Sequence, residues 1–339
     1  MDELNQEIAM DRRALLKYTA GFLAASPWVQ SLAKETYPSR PIRIVVSSGH
    51  TSPTDFAGRI VGDLLGKRFG QPVTVENRPG AGGMVGLQHV AQSPADGYTL
   101  ATGGLGNHVI PPVVIKNLPF DVIASFVPIA QVAEFVNVLV VSSDSPLKSV
   151  QDLLRQAKAE PGKLLNYASV GAGTSSHLTS ELFALQAGTR FTHVPYGKAS
   201  ESMIDVANGT VTFSFANLPA AMPLLRGNKL KALGVSSAYR SEHLPAVATL
   251  QEQGVDDFDV SSWMGIYGPA GMPDDIVRLL GDTISDGLKA DDYQKRLSEA
   301  GCEPRTLGAQ KFLERNRAEV ARWSEVVKKA GISVNFGGS

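Results

Sequence analysis

Two stretches far apart in the chain carry the same kinds of residue in the same order. Ser47-Ser48-Gly49-His50-Thr51-Ser52-Pro53-Thr54-Asp55 follows the apolar run Ile42–Val46. Ser169-Val170-Gly171-Ala172-Gly173-Thr174-Ser175-Ser176-His177 follows Leu164-Leu165-Asn166-Tyr167. Each predicts a strand, a loop of small hydroxyl-bearing residues and the start of a helix. The first turn of a helix leaves backbone N–H groups unpaired and carries the positive end of the helix dipole, so it suits an anion. If the two starts face each other across a cleft, they would hold a small carboxylate without any bond-making chemistry. The competing role for these hydroxyls is to cap their own helices.

From the first loop, Ser48, Gly49, His50, Thr51, Ser52 and Thr54 are the candidate ligand contacts, and from the second, Ser169, Gly173, Thr174, Ser175 and His177. Tyr196 could donate a phenolic hydrogen bond into the cleft, and Asn217, at a predicted strand end, offers both a donor and an acceptor. Packing or turn roles compete for His177, Tyr196 and Asn217. Asp55 would repel an anion and reads as a helix-start residue.

Other chemistries find less support. Gly80-Ala81-Gly82-Gly83-Met84-Val85-Gly86 departs from the dinucleotide fingerprint, because Val85 stands where the third glycine belongs. No phosphate-loop lysine follows it, so it reads as a close-packed turn. Ser175-Ser176-His177 lacks the Gly-x-Ser-x-Gly elbow of a hydrolase, and neighbours on a helix point in different directions. The six histidines show no metal-ligand spacing, and Cys302 is the only cysteine. Neither a cofactor nor a metal is expected. A formal net charge of −1 gives no basic footprint for nucleic acid.

The elements that must position these loops follow from periodicity. Strands are predicted at 42–46, 72–75, 98–101, 166–169, 191–194, 211–215 and 230–235, and helices at 53–69, 84–92, 150–159, 175–187, 200–206, 274–288, 291–300 and 309–329. This alternation predicts an α/β protein with a mostly parallel sheet. Two long apolar stretches, 127–141 and 260–267, read as crossings between lobes. The expected organisation is lobe 1 over 37–137 and 262–339, with lobe 2, 138–261, inserted and two crossing strands acting as a hinge. Residues 1–36 read as an export signal and linker: Arg12-Arg13, two leucines and a lysine precede a short apolar run, and Ser31-Leu32-Ala33 offers a cleavage site. That run is too short to span a bilayer.

The ordered motifs Tyr37-Pro38-Ser39-Arg40-Pro41-Ile42, Glu76-Asn77-Arg78-Pro79-Gly80-Ala81-Gly82-Gly83, Asp96-Gly97-Tyr98-Thr99-Leu100, Gly173-Thr174-Ser175-Ser176-His177-Leu178, His193-Val194-Pro195-Tyr196 and Gly268-Pro269-Ala270-Gly271-Met272-Pro273 carry a resemblance. From about Tyr37 to Val334 the chain resembles the extracytoplasmic solute-binding proteins of tripartite tricarboxylate transporters, often called Bug proteins. The resemblance implies a two-lobed type II periplasmic binding protein fold, a small carboxylate held between the lobes, and delivery to a membrane permease by a monomer. Docking of the closed protein on a signalling receptor is the alternative role, and an exported hydrolase a remote one. The chain departs from the family where the first loop usually reads Pro-Phe-x-x-Gly-Gly-Pro-Thr-Asp: Ser47-Ser48 replaces Pro-Phe and Thr51-Ser52 the glycine pair. The usual Tyr-Lys-Gly is Tyr196-Gly197-Lys198, and the aspartate expected before Asn217 is Ala216. The first-loop exchanges, with His50, should make that half of the pocket more polar, and the departures together leave the ligand's identity open.

Overall fold

The computed structural model describes residues 37–335 except Thr51, Pro119, 160–163 and Ser333. The expected export signal and Thr51 lie outside the described residues. From Pro38 onward the chain forms one compact unit.

Twelve strands are present among the described residues: β1 (Ile42–Val46), β2 (Val73–Asn77), β3 (Thr99–Gly104), β4 (Ile115–Lys116), β5 (Phe126–Ser142), β6 (Asn166–Ser169), β7 (Thr192–Pro195), β8 (Phe213–Asn217), β9 (Leu230–Val235), β10 (Ser261–Pro269), β11 (Leu307–Gly308) and β12 (Val334–Asn335). The main sheet runs β2-β1-β3-β10-β5-β8-β6-β7, with β9 and β11 also paired to β5. β1 lies parallel to β2 and β3, and β6 lies parallel to β7 and β8. Between these two parallel groups run β10 and β5, each antiparallel to its neighbours. The sheet is therefore more mixed than the alternation of elements predicts. Returning strands that cross from one lobe to the other must run against the rest.

The long apolar run predicted as a crossing is one continuous strand of 17 residues, buried along nearly all its length. Its first half, up to Val136, pairs with β10. Its second half, from Asn137, pairs with β8 and β9. A strand buried on both faces needs an unbroken apolar sequence rather than an alternating one, which is why the run stands out. The second crossing is tied in by Ser236, whose N–H bonds to the carbonyl of Asn137 and whose carbonyl accepts the Val260 N–H at 2.7 Å. The result is a two-lobed α/β protein joined by β5 and the start of β10.

Among the described residues ten α-helices cover the sheet: α1 (Pro53–Phe69), α2 (Met84–Ala91), α3 (Pro111–Val114), α4 (Val150–Ala159), α5 (Ser175–Gln186), α6 (Ala199–Ala207), α7 (Leu218–Arg226), α8 (Asp274–Gly287), α9 (Asp291–Glu299) and α10 (Ala309–Ala330). α1 shows how closely local signals can fix an element. Ser52 at its N-cap accepts the Asp55 N–H at 3.1 Å, Pro53 occupies the first turn, and Gly70 ends it with φ +65°. α7 was not visible to periodicity, because Pro219 and Pro223 lie within its span. Pro219 falls in the first turn, where its missing N–H costs nothing, and the helix is only nine residues long.

The core is shared by both lobes through the crossing strands. One cluster joins Val45, Ala101 and Tyr267 to Leu139, Phe183, Phe213 and Phe258, and a second packs Val136, Val138 and Val140 against Val206 and Leu218. Phe183 sits at the centre of an aromatic group against β8, edge-on to Phe213, Phe215 and Phe258.

Candidate functional site

The carboxyl ends of four parallel strands, two from each group, meet at one cavity of about 180 Å³. β1 leads to Ser48 and the start of α1, β3 to Gly104–Asn107, β6 to Ser175, and β8 to Asn217. The crossing strands add Phe135, Ser262 and Trp263. Such a position, outside the strand ends and between lobes, is where open α/β sheets place ligands. The two helix starts singled out in the sequence thus open onto the same space.

They are not equivalent. At α1 the Ser52 hydroxyl caps its own helix, and it also lies 2.5 Å from Ser48 Oγ. Ser48 Oγ is 2.6 Å from Thr54 Oγ1, so the first loop presents a connected set of three hydroxyls. At α5 the N-cap is Thr174, and no side chain caps the first turn. Its hydroxyl instead donates to the Gly171 carbonyl at 2.7 Å and lies 3.1 Å from Ser176 Oγ. That start therefore keeps its N–H groups available on the side where Ser175 lines the cavity.

No lining residue of the cavity is charged. Asp55, buried beside it, is neutralised by Arg59, whose guanidinium donates to both carboxylate oxygens at 2.9 and 3.0 Å. Asn77 donates to the same carboxylate at 2.8 Å and to the Ser48 carbonyl at 3.1 Å, which fixes the loop against β2. Asp55 is thus an internal strut rather than a source of repulsion.

Three polar atoms on the cavity's residues are buried and meet no protein partner: Trp263 Nε1, Ser262 Oγ and Asn217 Oδ1. Trp263 is 1% exposed and Ser262 3%. Buried polar groups are almost always hydrogen-bonded, so three orphans around one cavity mark it as a place for a polar guest.

Of the sequence candidates, Ser48, Thr54, Ser175 and Asn217 line the cavity. Ser52 stands behind them as the cap. His50 lies on the outer side of the loop, its Nδ1 3.3 Å from the Arg59 guanidinium. Gly49 adjoins it, with open space where a side chain would stand. Ser169 bonds to His193 Nε2 at 2.6 Å, beneath the second loop. The Gly173 N–H, which a ligand would have needed, donates to His177 Nδ1 at 2.9 Å. His177 is buried in a stack, 4.1 Å from the ring of His193, and burial holds its pKa down at about 4, so it is a neutral pillar of the loop. Tyr196 turns to Asp205, donating at 2.6 Å, because that carboxylate lies one helix away on α6. These side chains shape the loops rather than line the cavity.

Sequence reasoning missed Asn107 and its turn. Asn107 Oδ1 accepts the Gly104 N–H at 2.7 Å and its amide donates to Ser47 Oγ at 2.5 Å. This closes a π-helical turn over Leu105–Val109, a rare form found mostly at functional sites. At Gly104 a Cβ would stand 2.5 Å from the Trp263 carbonyl, so only glycine lets β3 pass this close to β10. Gly103-Gly104-Leu105-Gly106-Asn107 is a third strand end of small residues, and that was the available signal.

The profile of the "tripartite tricarboxylate transporter family receptor" matches residues 57–332. The chain belongs to this family. It is 32% identical over 326 residues to protein BugT of Bordetella pertussis, an alignment covering 95% of this chain and 99% of that one. Among solved structures, Rpa4515 of R. palustris with adipate superposes with a TM-score of 0.79 at 34% identity, over 88% of this chain and 99% of that one. MatC from Rhodopseudomonas palustris, with bound malate, gives 0.74 at 28% identity, over 86% and 100%. The receptors of this family are two-lobed solute-binding proteins, not enzymes, as the motifs implied. Among the described residues, no helix is long and apolar enough to cross a membrane, and no group of side chains could hold a metal ion.

Proposed function

We propose that the cavity captures a small carboxylate and that the chain, exported to the periplasm, hands it to the membrane permease of a tripartite tricarboxylate transporter. The observation that carries this reading is the meeting of two helix starts and three orphaned polar atoms around one uncharged cavity. Each helix start favours an anion by roughly 0.3–1 kcal/mol, rising to ~2 where partly buried. Charge-assisted bonds from the Trp263 N–H and the hydroxyls of Thr54 and Ser175 would add to that. Because the donors come from both lobes, ligand favours the closed arrangement, and a permease can read that population shift. Relatives crystallised with adipate and with malate support the ligand class.

The same reading divides the chain into lobe 1, 37–137 with 262–339, and lobe 2, 138–261, acting as a monomer, with 1–36 a twin-arginine-like export signal. It is tested by thermal shift against small carboxylates of two to six carbons. A ligand at 100 times its Kd should stabilise the protein by ~2.7 kcal/mol. The reading fails if no acid raises Tm while a neutral or cationic solute does.

A second prediction arises from Trp263. Trp263→Phe removes the indole N–H and keeps most of the packing against Phe312, whose ring meets it edge-on at 5.1 Å. Affinity for the carboxylate should fall by about tenfold, the usual worth of a charge-assisted bond, with Tm of the free protein barely changed. Equal binding by the two proteins in calorimetry would remove Trp263 from the site.

A further inference from the structure

Asn107 lines the cavity, yet both ends of its amide are engaged within the protein. The oxygen accepts the Gly104 N–H at 2.7 Å, and the nitrogen donates to Ser47 Oγ at 2.5 Å. Only the oxygen of an amide can take an N–H, so the Gly104 bond fixes which way round the group stands. Ser47 passes the link on, its hydroxyl reaching the Thr102 carbonyl at 3.4 Å. These bonds begin where the backbone ladder stops. The last pair in the register of β1 and β3 is Val46 with Thr102. Beyond it, side chains alone join the ends of the two strands.

Each partner of Asn107 leads to a wall of the cavity. Ser47 precedes Ser48, whose hydroxyl is the centre of the set formed with Ser52 and Thr54. Gly104 lines the cavity and lies against the Trp263 carbonyl, and the π-helical turn after it supplies Leu105 and Gly106 to the same wall. Ser47 itself lines no part of the cavity and is 2% exposed. It is packed beneath Gly83 and Gly86, where an added Cβ would stand 3.3 and 3.2 Å from Ser47 Cβ. The link therefore runs behind the wall and ties its two halves together.

We infer that Asn107 is a positioning residue of the receptor: through Ser47 and Gly104 it holds the first loop against the end of β3, and so sets the spacing of the groups that meet the ligand. This rests on the carboxylate reading above and adds to it. Groups fixed in advance need no ordering when the ligand arrives, so loss of the link should appear as lost affinity.

The experiment is calorimetry on the full chain with acetate, propionate, succinate, malate and adipate, alongside Tm of the ligand-free proteins. The variants are Ser47→Ala, Asn107→Ala and the two combined. Ser47→Ala is decisive, because it removes the acceptor and leaves every residue lining the cavity in place. It deletes one hydroxyl and little bulk, so the fold should persist. For each acid that the unmodified protein binds, Kd should rise about fivefold or more in Ser47→Ala and about tenfold or more in Asn107→Ala. The combined variant should stay within about twofold of Asn107→Ala, because both changes break the same bond. A Ser47→Ala protein that melts lower but binds within about twofold of the parent would make the bond purely structural and overturn the inference, with the carboxylate reading intact. Fully additive losses in the combined variant would also overturn it, since the two residues would then act separately. Should Asn107→Ala fail to fold, the affinity of Ser47→Ala decides alone. No binding of any of the five acids by the unmodified protein would sink both readings.

Discussion

Arg315→Ala should cost about 3–5 kcal/mol of stability, the usual penalty for removing one partner of a buried ion pair. Arg315 stands on α10 and is largely buried, and its guanidinium pairs with Glu134 of β5, itself 7% exposed. The same guanidinium donates to Gln131 Oε1 at 3.0 Å and to Ser261 Oγ at 2.9 Å. One side chain therefore clamps β5 to the first residue of β10, the two strands that pass between the lobes. Without it, Glu134 keeps only the Gln131 amide at 3.0 Å and the Tyr239 hydroxyl at 3.0 Å, with no cation in hydrogen-bond contact. Glu303, also buried and paired to Glu134 through the backbone, already has one carboxylate oxygen unpartnered. The cluster is thus acid-heavy, with Arg305 and Arg315 as its cations. Chemical denaturation of Arg315→Ala and of the double variant Arg315→Met with Glu134→Leu would check this. The double variant should recover much of the loss, because replacing both members of the pair leaves neither of its charges uncompensated. A single variant within about 1 kcal/mol of the parent would show that the pair carries no such weight.

The position of this clamp bears on function. The proposed site takes donors from both sides of the crossing strands at once, so its geometry depends on how those strands are held. Arg315 and Glu134 sit on those strands or directly against them and beside Trp263 in space: Glu134 is its cross-strand partner, and the Arg315 guanidinium carbon lies 5.8 Å from the indole ring centre. A packed, discretely paired hinge has few arrangements available, which favours an open and a closed state over a continuum.

How far this was legible in the sequence depends on the range of the interaction. α1, β1, β6 and the crossing run of β5 follow from signals within their own residues: a serine cap with a following proline, an αL glycine, unbroken apolar stretches. The two helix starts could be paired in advance because they repeat the same chemistry. Which of their side chains face the cavity could not. His177 and Thr174 look like ligand contacts by type, yet each is taken by a backbone group of its own loop, Gly173 and Gly171. Tyr196 is claimed by Asp205, nine residues on. Trp263 and Ser262 reach the site only through the antiparallel pairing of β10 with β3 and β5, a long-range register that no local pattern encodes. Asn107 belongs to a turn whose bonds run to Ser47, sixty residues earlier. Sequence alone thus located the mouths of the site better than its walls.

Acid should unfold this protein earlier than its carboxylates alone would require. His108, His177 and His193 are neutral in the fold, chiefly because burial disfavours their charged form. His108 is held at about 3, stacked 3.7 Å from Tyr267. His177 and His193 are held at about 4, against an ordinary value of 6.5. In the unfolded chain all three take up protons once pH drops below about 6.5. Between there and the folded values the unfolded state binds more protons, so stability falls as pH falls; above 6.5 the contribution is fully present. For His177 the whole effect is roughly 3 kcal/mol, and about two-thirds of it is lost by pH 5, before most carboxylates begin to protonate. His193 is only partly buried and adds less, since solvent screens it. Melting measured from pH 7 to pH 5 should show Tm dropping by several degrees, at about 2 °C or more per kcal/mol for a chain of this size. His177→Gln keeps an acceptor for the Gly173 N–H and cannot titrate, so its curve should be visibly flatter over the same window. A Tm that stays level between pH 7 and pH 5, or a His177→Gln slope matching the parent's, would mean that the stacked histidines open to solvent and protonate without disturbing the loop that carries the second helix start.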